Sequence, residues 1–469
     1  MRRPNVLILH TDEQRWDTIR AGGNEHIHTP NLDALAESGA LFQNMYCNSP
    51  VCMPSRQSML SGQYPSTIGT TWNGIEMPED VLTIHKVLKP YGYHTASNGK
   101  LHFLNHANRD HREPHPDYGF DQLIVSDDFG CYDDPYLKWV EMKDPTQVEV
   151  CKCTSCPAWT GDMWEFPGRV HHMAKPYVFP GPEELSHSTF VAEETIEYID
   201  RHRDEPFYAI AGFFGPHSPV NPPQRFVDMY DPAALPLPHM NEGEDRFDLG
   251  PDGWRRAKAY YYALISHIDD QIGRILRHLD ESGLRDDTLI LFTADHGDHM
   301  GDHGAVEKGN PRDSCNRVPL IASLPRRIPA GRVYDELVEG VDLAPTILDY
   351  CGVQTPPIMQ GRSLKPLFDG GDYRPRTSAF MEVKIPTGHA EWKSRPGMGS
   401  WKAIRTHAYD YVMNADGREE LYHLAVDPHE LTNVAADPAH HDMLHDARGE
   451  MVRRWFEIDS QYPKQTGVY

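Results

Sequence analysis

The stretches PNVLILHTDEQ at residues 4–14 and TLILFTADHGD at residues 288–298 constrain this chain most. Each is a continuous apolar run that stops abruptly at acids: Asp12 and Glu13 in the first, Asp295 followed by His296 in the second. Uninterrupted Val, Ile and Leu, without alternation, marks strands buried on both faces, as in a parallel sheet covered by helices. Helical patterns lie between such runs. TPNLDALAESG has Thr29 ahead of Pro30 and Gly39 at its end, HSTFVAEETIEYIDRHR follows Ser186 as a cap, and a long pattern runs from Trp254 to Gly283. Two further runs end in the same way: YGYHTASNGKLH releases Lys100 and His102, and FYAIAGFF releases His217 after Gly215 and Pro216.

This alternation predicts an α/β fold with a large, mainly parallel sheet between helical layers. Ligands in such sheets bind beyond the carboxyl ends of the strands. Asp12, Glu13, Lys100, His102, His217, Asp295 and His296 are therefore expected on one edge, however far apart in sequence. After about residue 370 the pattern changes to SWKAIRTHAYDYVMN, the turn NADG and EELYHLAVD, read as antiparallel strands. DPAHHDMLHDARGEMVRRWFEID then reads as a closing helix. The expected division is a catalytic domain over 1–370 and a smaller α+β unit over 371–469. The weakly periodic stretch from about 105 to 185, rich in Pro and His, is expected to be an insertion over the site.

Of the 469 residues, 69 are acidic and 45 basic, a formal net charge of −24. Such a chain repels phosphate backbones and anionic lipid, so neither nucleic acid nor a membrane is an expected partner. Its first apolar run, Val6 to Leu9, is too short for a secretory core, and none approaches the roughly 20 apolar residues of a membrane span; a cytoplasmic location is expected. Eight cysteines in so long a chain do not make a disulfide scaffold. Cys151, Cys153 and Cys156, with His171 and His172 nearby, could describe a zinc site or a disulfide. They lack paired C-x-x-C units, which favours free thiols in a loop. Trp72, Asn73, His106, His111, His115, Trp159 and Trp164 could stack on a sugar, with packing as the default.

Two acids at one strand end and an Asp-His pair at another supply hard oxygen ligands and one imidazole, suited to a divalent ion: Ca²⁺ first, Mg²⁺ or Mn²⁺ as alternatives. Cys52 stands ahead of Pro54 and the helical run SRQSMLSG, where backbone N–H groups favour an anion and Arg56 lies one turn on. A small buried cysteine at a helix start fits that local pattern equally well.

The order C-x-P-S-R, SGQYP, GKLH, GPHSP and ADHGDHMGDHG, with the acidic pair after the first strand and EELYHLAVDPHELTNVA near the end, resembles the sulfatase family along nearly the whole chain. The resemblance implies an alkaline-phosphatase-like fold and conversion of Cys52 to Cα-formylglycine by a formylglycine-generating enzyme that reads Pro54 and Arg56. It implies a metal held by Asp12, Glu13, Cys52, Asp295 and His296. It also implies charge neutralisation by Arg56, Lys100 and Lys308, with His102 as a base and His217 at the leaving oxygen. The expected substrate is a small sulfated molecule, a carbohydrate sulfate above all. Glu13 stands where many members carry Asp, His296 where many carry Asn, and Met53 where Ser or Thr is common. Two rival readings are a phosphonate monoester or phosphodiester hydrolase on the same site and a glycan-binding homologue without chemistry. GKLH argues against the first, because phosphonate-cleaving relatives tend to replace that Lys and His.

Overall fold

A computed structural model describes residues 3–105, 115–128, 133–152, 175–386 and 399–460. Twelve strands fall into two sheets among the described residues: β1 (Asn5–Asp12), β2 (Ala40–Tyr46), β3 (His94–Gly99), β4 (Gln122–Val125), β5 (Phe207–Pro216), β6 (Thr288–Ala294), β7 (Arg317–Ser323), β8 (Arg332–Glu339), β9 (Ala379–Val383), β10 (Trp401–Arg405), β11 (Tyr409–Asn414) and β12 (Glu419–His423). The large sheet has the order β4-β3-β5-β1-β6-β7-β2-β8. Only β7 runs against the rest, pairing antiparallel with β6 and β2.

The predicted apolar runs are the centre of this sheet, because a strand with a neighbour on each edge and a helical layer on each face has no wet side. β1 is buried at all eight positions, as is β5 at all ten. Side chains of β1 alternate between two cores. Val6 and Ile8 face helix α2 (Cys52–Ser61) and the helix Leu343–Tyr350. Leu7 and Leu9 face α1 (Pro30–Glu37), the helix His187–Arg201 and the long helix Gly250–Glu281. As predicted, the Ser186 hydroxyl caps the second of these by accepting from the Thr189 N–H.

The second sheet, in the order β12-β11-β10-β9, is antiparallel throughout. Here the sequence reading needs correcting: SWKAIRTHAYDYVMN is two strands, β10 and β11, folded back on each other so that Arg405 pairs with Asp410. One face of this sheet packs on the large sheet through Met381, Trp401, Ala403 and Val412 against Tyr46 and Leu337. The other face holds the closing helix His441–Ser460 through Phe380, Ile404, Tyr411 and Leu421 against Leu444, Ala447 and Met451. That helix also reaches the large sheet. Arg454, buried, donates to Glu339 and, at 3.1 Å, to the hydroxyl of Tyr64, which itself donates to Glu339. No described helix is long and apolar enough to cross a membrane.

Candidate active site

The carboxyl ends of β1 and β6 are neighbours in register, Thr11 beside Ala294, so the acids that follow them meet. Asp12 and Glu13 come from one strand and Asp295 and His296 from the other, all buried. The backbone is bent to aim them: Glu13 adopts φ 66°, and its N–H donates to Asp295 Oδ1 at 3.0 Å. Helix α2 starts at this edge. Cys52 is its first residue and Pro54 its third, where a helix has no internal partner for the missing N–H. The Met53 N–H is capped by Asn73 Oδ1 at 3.0 Å.

Cys52 Sγ lies 3.2 Å from His296 Nε2 and 4.0 Å from Asp12 Oδ1. His296 Nδ1 is 2.8 Å from the Gly297 carbonyl, to which a ring nitrogen can only donate, so the neutral ring presents the lone pair of Nε2 to the cluster. Arg56, one turn into α2, holds two acids at once, with Nε 2.8 Å from Asp295 Oδ2 and a terminal nitrogen 2.9 Å from Asp12 Oδ2. Lys100 Nζ stands 2.8 Å from the same Asp12 oxygen. Lys308 Nζ and His217 Nε2 approach Glu13 Oε2 at 3.4 and 3.5 Å. His102 sits two residues past Lys100 at φ 55°, its N–H fixed 2.7 Å from Asp127 Oδ1.

The charges are unevenly settled. Burial opposes ionisation of Asp12, yet Lys100, His217 and Arg56 hold its carboxyl well below the ordinary carboxylate range. Burial pushes Glu13 well above that range against the pull of Lys308. Burial and Asp12 push the Cys52 thiol up, but Lys308 and His296 bring it below its usual value. Burial, Lys308 and Lys100 hold His217 well below an ordinary imidazole.

Would a divalent ion fit? Asp12, Cys52, Asp295 and His296 each offer a ligand atom, all within 4.8 Å of one another. Glu13 Oε1 is buried without a hydrogen-bond partner, which is costly for a carboxylate unless a cation completes it. The carboxylates and the imidazole fit such an ion; the Cys52 thiol is a soft donor and suits it only where that position carries an oxygen.

Two contributors were not singled out in the sequence, and a third, Asn73, was expected against a sugar rather than at a helix start. Asp127, at the end of β4, accepts from the Leu101 and His102 N–H groups and shapes the GKLH turn; as an acid at a strand end it carried the same signal as Asp12. Asp298, pushed up to about 6 by burial, accepts from the Met300 and Glu307 N–H groups and shapes the loop before Lys308. Asn73 caps α2. Trp72 is a core residue among Tyr46, Val51 and Met381, so packing is its role. Cys151 is a buried free thiol. Cys153, Cys156, His171, His172, His106, His111, Trp159 and Trp164 lie outside the described residues.

A large mainly parallel sheet flanked by helices, with a small antiparallel sheet after it, is the alkaline-phosphatase-like fold, and its carboxyl edge gathers acids, imidazole, thiol and three cations. The model of the sulfatase family matches residues 4–353, and that of the N-sulphoglucosamine sulphohydrolase C-terminal region matches 301–455. The chain belongs to the sulfatase family of sulfuric ester hydrolases. It is 31% identical to an arylsulfatase of Clostridium perfringens, over 92% of this chain and 90% of that one. It is 28% identical to a choline-sulfatase of Rhizobium meliloti, over 93% and 83%. The crystal structure of the phosphonate monoester hydrolase of Agrobacterium radiobacter superposes with a TM-score of 0.82 at 25% identity, over 98% and 96%.

Proposed function

We propose that this chain hydrolyses small sulfate monoesters, sulfated mono- or oligosaccharides first among them, at a nucleophile made from Cys52. The observation that carries the reading is the position of Cys52: first residue of a buried helix, 3.2 Å from His296, with Arg56 one turn on and bonded to both Asp12 and Asp295. Converted to formylglycine, the residue supplies a hydrated aldehyde whose oxygen attacks sulfur and whose later collapse needs no second attack there.

The chain's own residues do the rest. Asp12, Glu13, Asp295 and His296 hold the divalent ion, Ca²⁺ in the first instance. Arg56 is spent on Asp12 and Asp295, which fixes the acids and keeps a full positive charge beneath the nucleophile. Lys100, 2.8 Å from Asp12, and Lys308, 3.4 Å from Glu13, offset the charge of the sulfuryl oxygens. His217 donates from Nδ1 to the Ser218 carbonyl at 2.7 Å, which leaves Nε2 as the atom that exchanges a proton with a leaving oxygen. His102 is the base for the collapse, and its turn is set by Asp127.

The likeness to a phosphonate monoester hydrolase makes phosphonate monoesters the second reading, since sulfur and phosphorus tetrahedra differ mainly in charge. Lys100 favours sulfate, being 2.8 Å from Asp12 in the heart of the cluster. Parallel rates on an aryl sulfate, a sulfated sugar, choline sulfate and an aryl phosphonate decide between them; faster phosphonate cleavage overturns the sulfate reading. Mass spectrometry of the Cys52 peptide tests the nucleophile, because replacing CH₂SH with CHO lowers the mass by about 18 daltons.

A further inference from the structure

Lys308 follows a carboxylate at Glu307 and precedes Gly309, in a loop that departs from β6 and returns into β7. A lysine on a loop has four rotatable side-chain bonds, so what fixes its ammonium is the backbone beneath it. On one side that backbone is held by the loop itself. The Glu307 N–H donates to Asp298 Oδ2 at 3.1 Å, and its carbonyl accepts from the His299 N–H at 3.1 Å. On the other side it is held by the second sheet.

Period-two alternation puts Trp401, Ala403 and Arg405 of β10 on one face. Their register partners on β11, Val412 opposite Ala403 and Asp410 opposite Arg405, share that face, as do Glu420 and Tyr422 one strand further on. It is the face that packs on the large sheet. From it, four donor-acceptor ties run to three residues of the Lys308 loop. Trp401 Nε1 donates to the Gly309 carbonyl at 3.0 Å. Arg312 donates to Glu420 at 2.5 Å and to the Tyr422 hydroxyl at 2.6 Å. Arg405 is 2.7 Å from Asp313.

The Trp401 bond is the closest of these to the lysine, falling on the next residue. Gly309 has φ 96°, in the region that favours glycine, so its carbonyl direction is set by this turn and secured by the indole. Trp401 is buried, and indole offers one donor and no acceptor.

We infer that Trp401 is a positioning residue for Lys308, so that the small antiparallel sheet sets the place of one cation at the edge of the large one. This rests on the reading of Lys308 as a charge-neutralising group, and it adds that the group is held from the second sheet.

Trp401→Phe keeps an aromatic ring in the core and deletes only the N–H. With an aryl sulfate as probe, kcat/KM falls about tenfold, in keeping with the cost of a displaced catalytic group, while metal content and formylglycine content match the parent. In a Lys308→Ala background the same change costs less than about twofold, because there is no ammonium left to misplace. Tyr422→Phe, which removes one tie further along the loop, gives a smaller loss of the same sign. Two results overturn the inference: an unaltered kcat/KM in Trp401→Phe, or an equal loss with and without Lys308. A Lys308→Ala enzyme as fast as the parent sinks the reading of the lysine itself, a different failure that this set of variants keeps separate. Should Trp401→Phe fold poorly, the Tyr422→Phe pair with and without Lys308 decides the question by the same two criteria.

Discussion

Arg56 and Arg405 each stand among carboxylates held out of water, the first at the carboxyl edge of the large sheet, the second where the two sheets meet. Both groups of acids bring ligand atoms within 4.8 Å of one another, Asp12 and Asp295 in one, Asp313, Asp410 and Glu430 in the other. Both leave an oxygen without a partner, Glu13 Oε1 and Asp410 Oδ1. Spacing and burial therefore do not separate an active site from a structural clamp; company does. Around Arg56 the acids share their space with a thiol, an imidazole and two lysines that arrive on separate elements. Around Arg405, one guanidinium bridges Asp313 at 2.7 Å and Glu430 at 2.5 Å, and burial beside Glu430 pushes Asp410 well above the ordinary carboxylate range.

The largest effect expected is on turnover. Cys52→Ala removes the precursor of the nucleophile, and aryl sulfate hydrolysis drops at least about a thousandfold; survival of most of the rate would erase the distinction between the two clusters. Next comes the metal. Asp295→Asn lowers kcat/KM by about a hundredfold or more and abolishes Ca²⁺ binding by calorimetry, while Asp410→Asn binds Ca²⁺ as the parent does. Calcium binding lost in Asp410→Asn instead would make the second cluster the metal centre.

The clamp is broken through stability. Arg405→Met leaves Glu430 without its cation and Asp313 with only Arg317 at 3.5 Å, at a cost of about 3–5 kcal/mol in urea unfolding. The smallest effect is a pH slope. Asp410 has its folded pKa raised, so its contribution is complete below the unfolded carboxylate value and is lost as pH rises toward the folded one. The stability of the parent relative to Asp410→Asn therefore declines as pH rises above the ordinary carboxylate value of about 4; a flat difference shows that Asp410 stays ionised.

The large sheet was legible because its strands lie between helices on both faces, which writes burial into the sequence as unbroken apolar runs. β1, β5 and β6 follow from that alone. β8, at the edge, carries exposed Arg332, Val333 and Asp335 and gave no such run. The hairpin of β10 and β11 was hidden because its turn, Thr406 to Ala408, lacks glycine and proline. The site residues that end strands were legible for the same reason as the strands. Trp401 and Asp298 were not, since they act through backbone atoms, Asp298 within its own loop and Trp401 on a distant one, and no local spacing records which carbonyl an indole will meet.

The bond from Arg454 to Tyr64 spans 390 residues. At about 5–20 residues per second on the ribosome, the closing helix emerges roughly 20–80 seconds after the segment it clamps. Throughout that interval Tyr64, and Glu339 once it is made, wait without their Arg454 partner, and an early stop before Arg454 would leave Glu339 short of that cation.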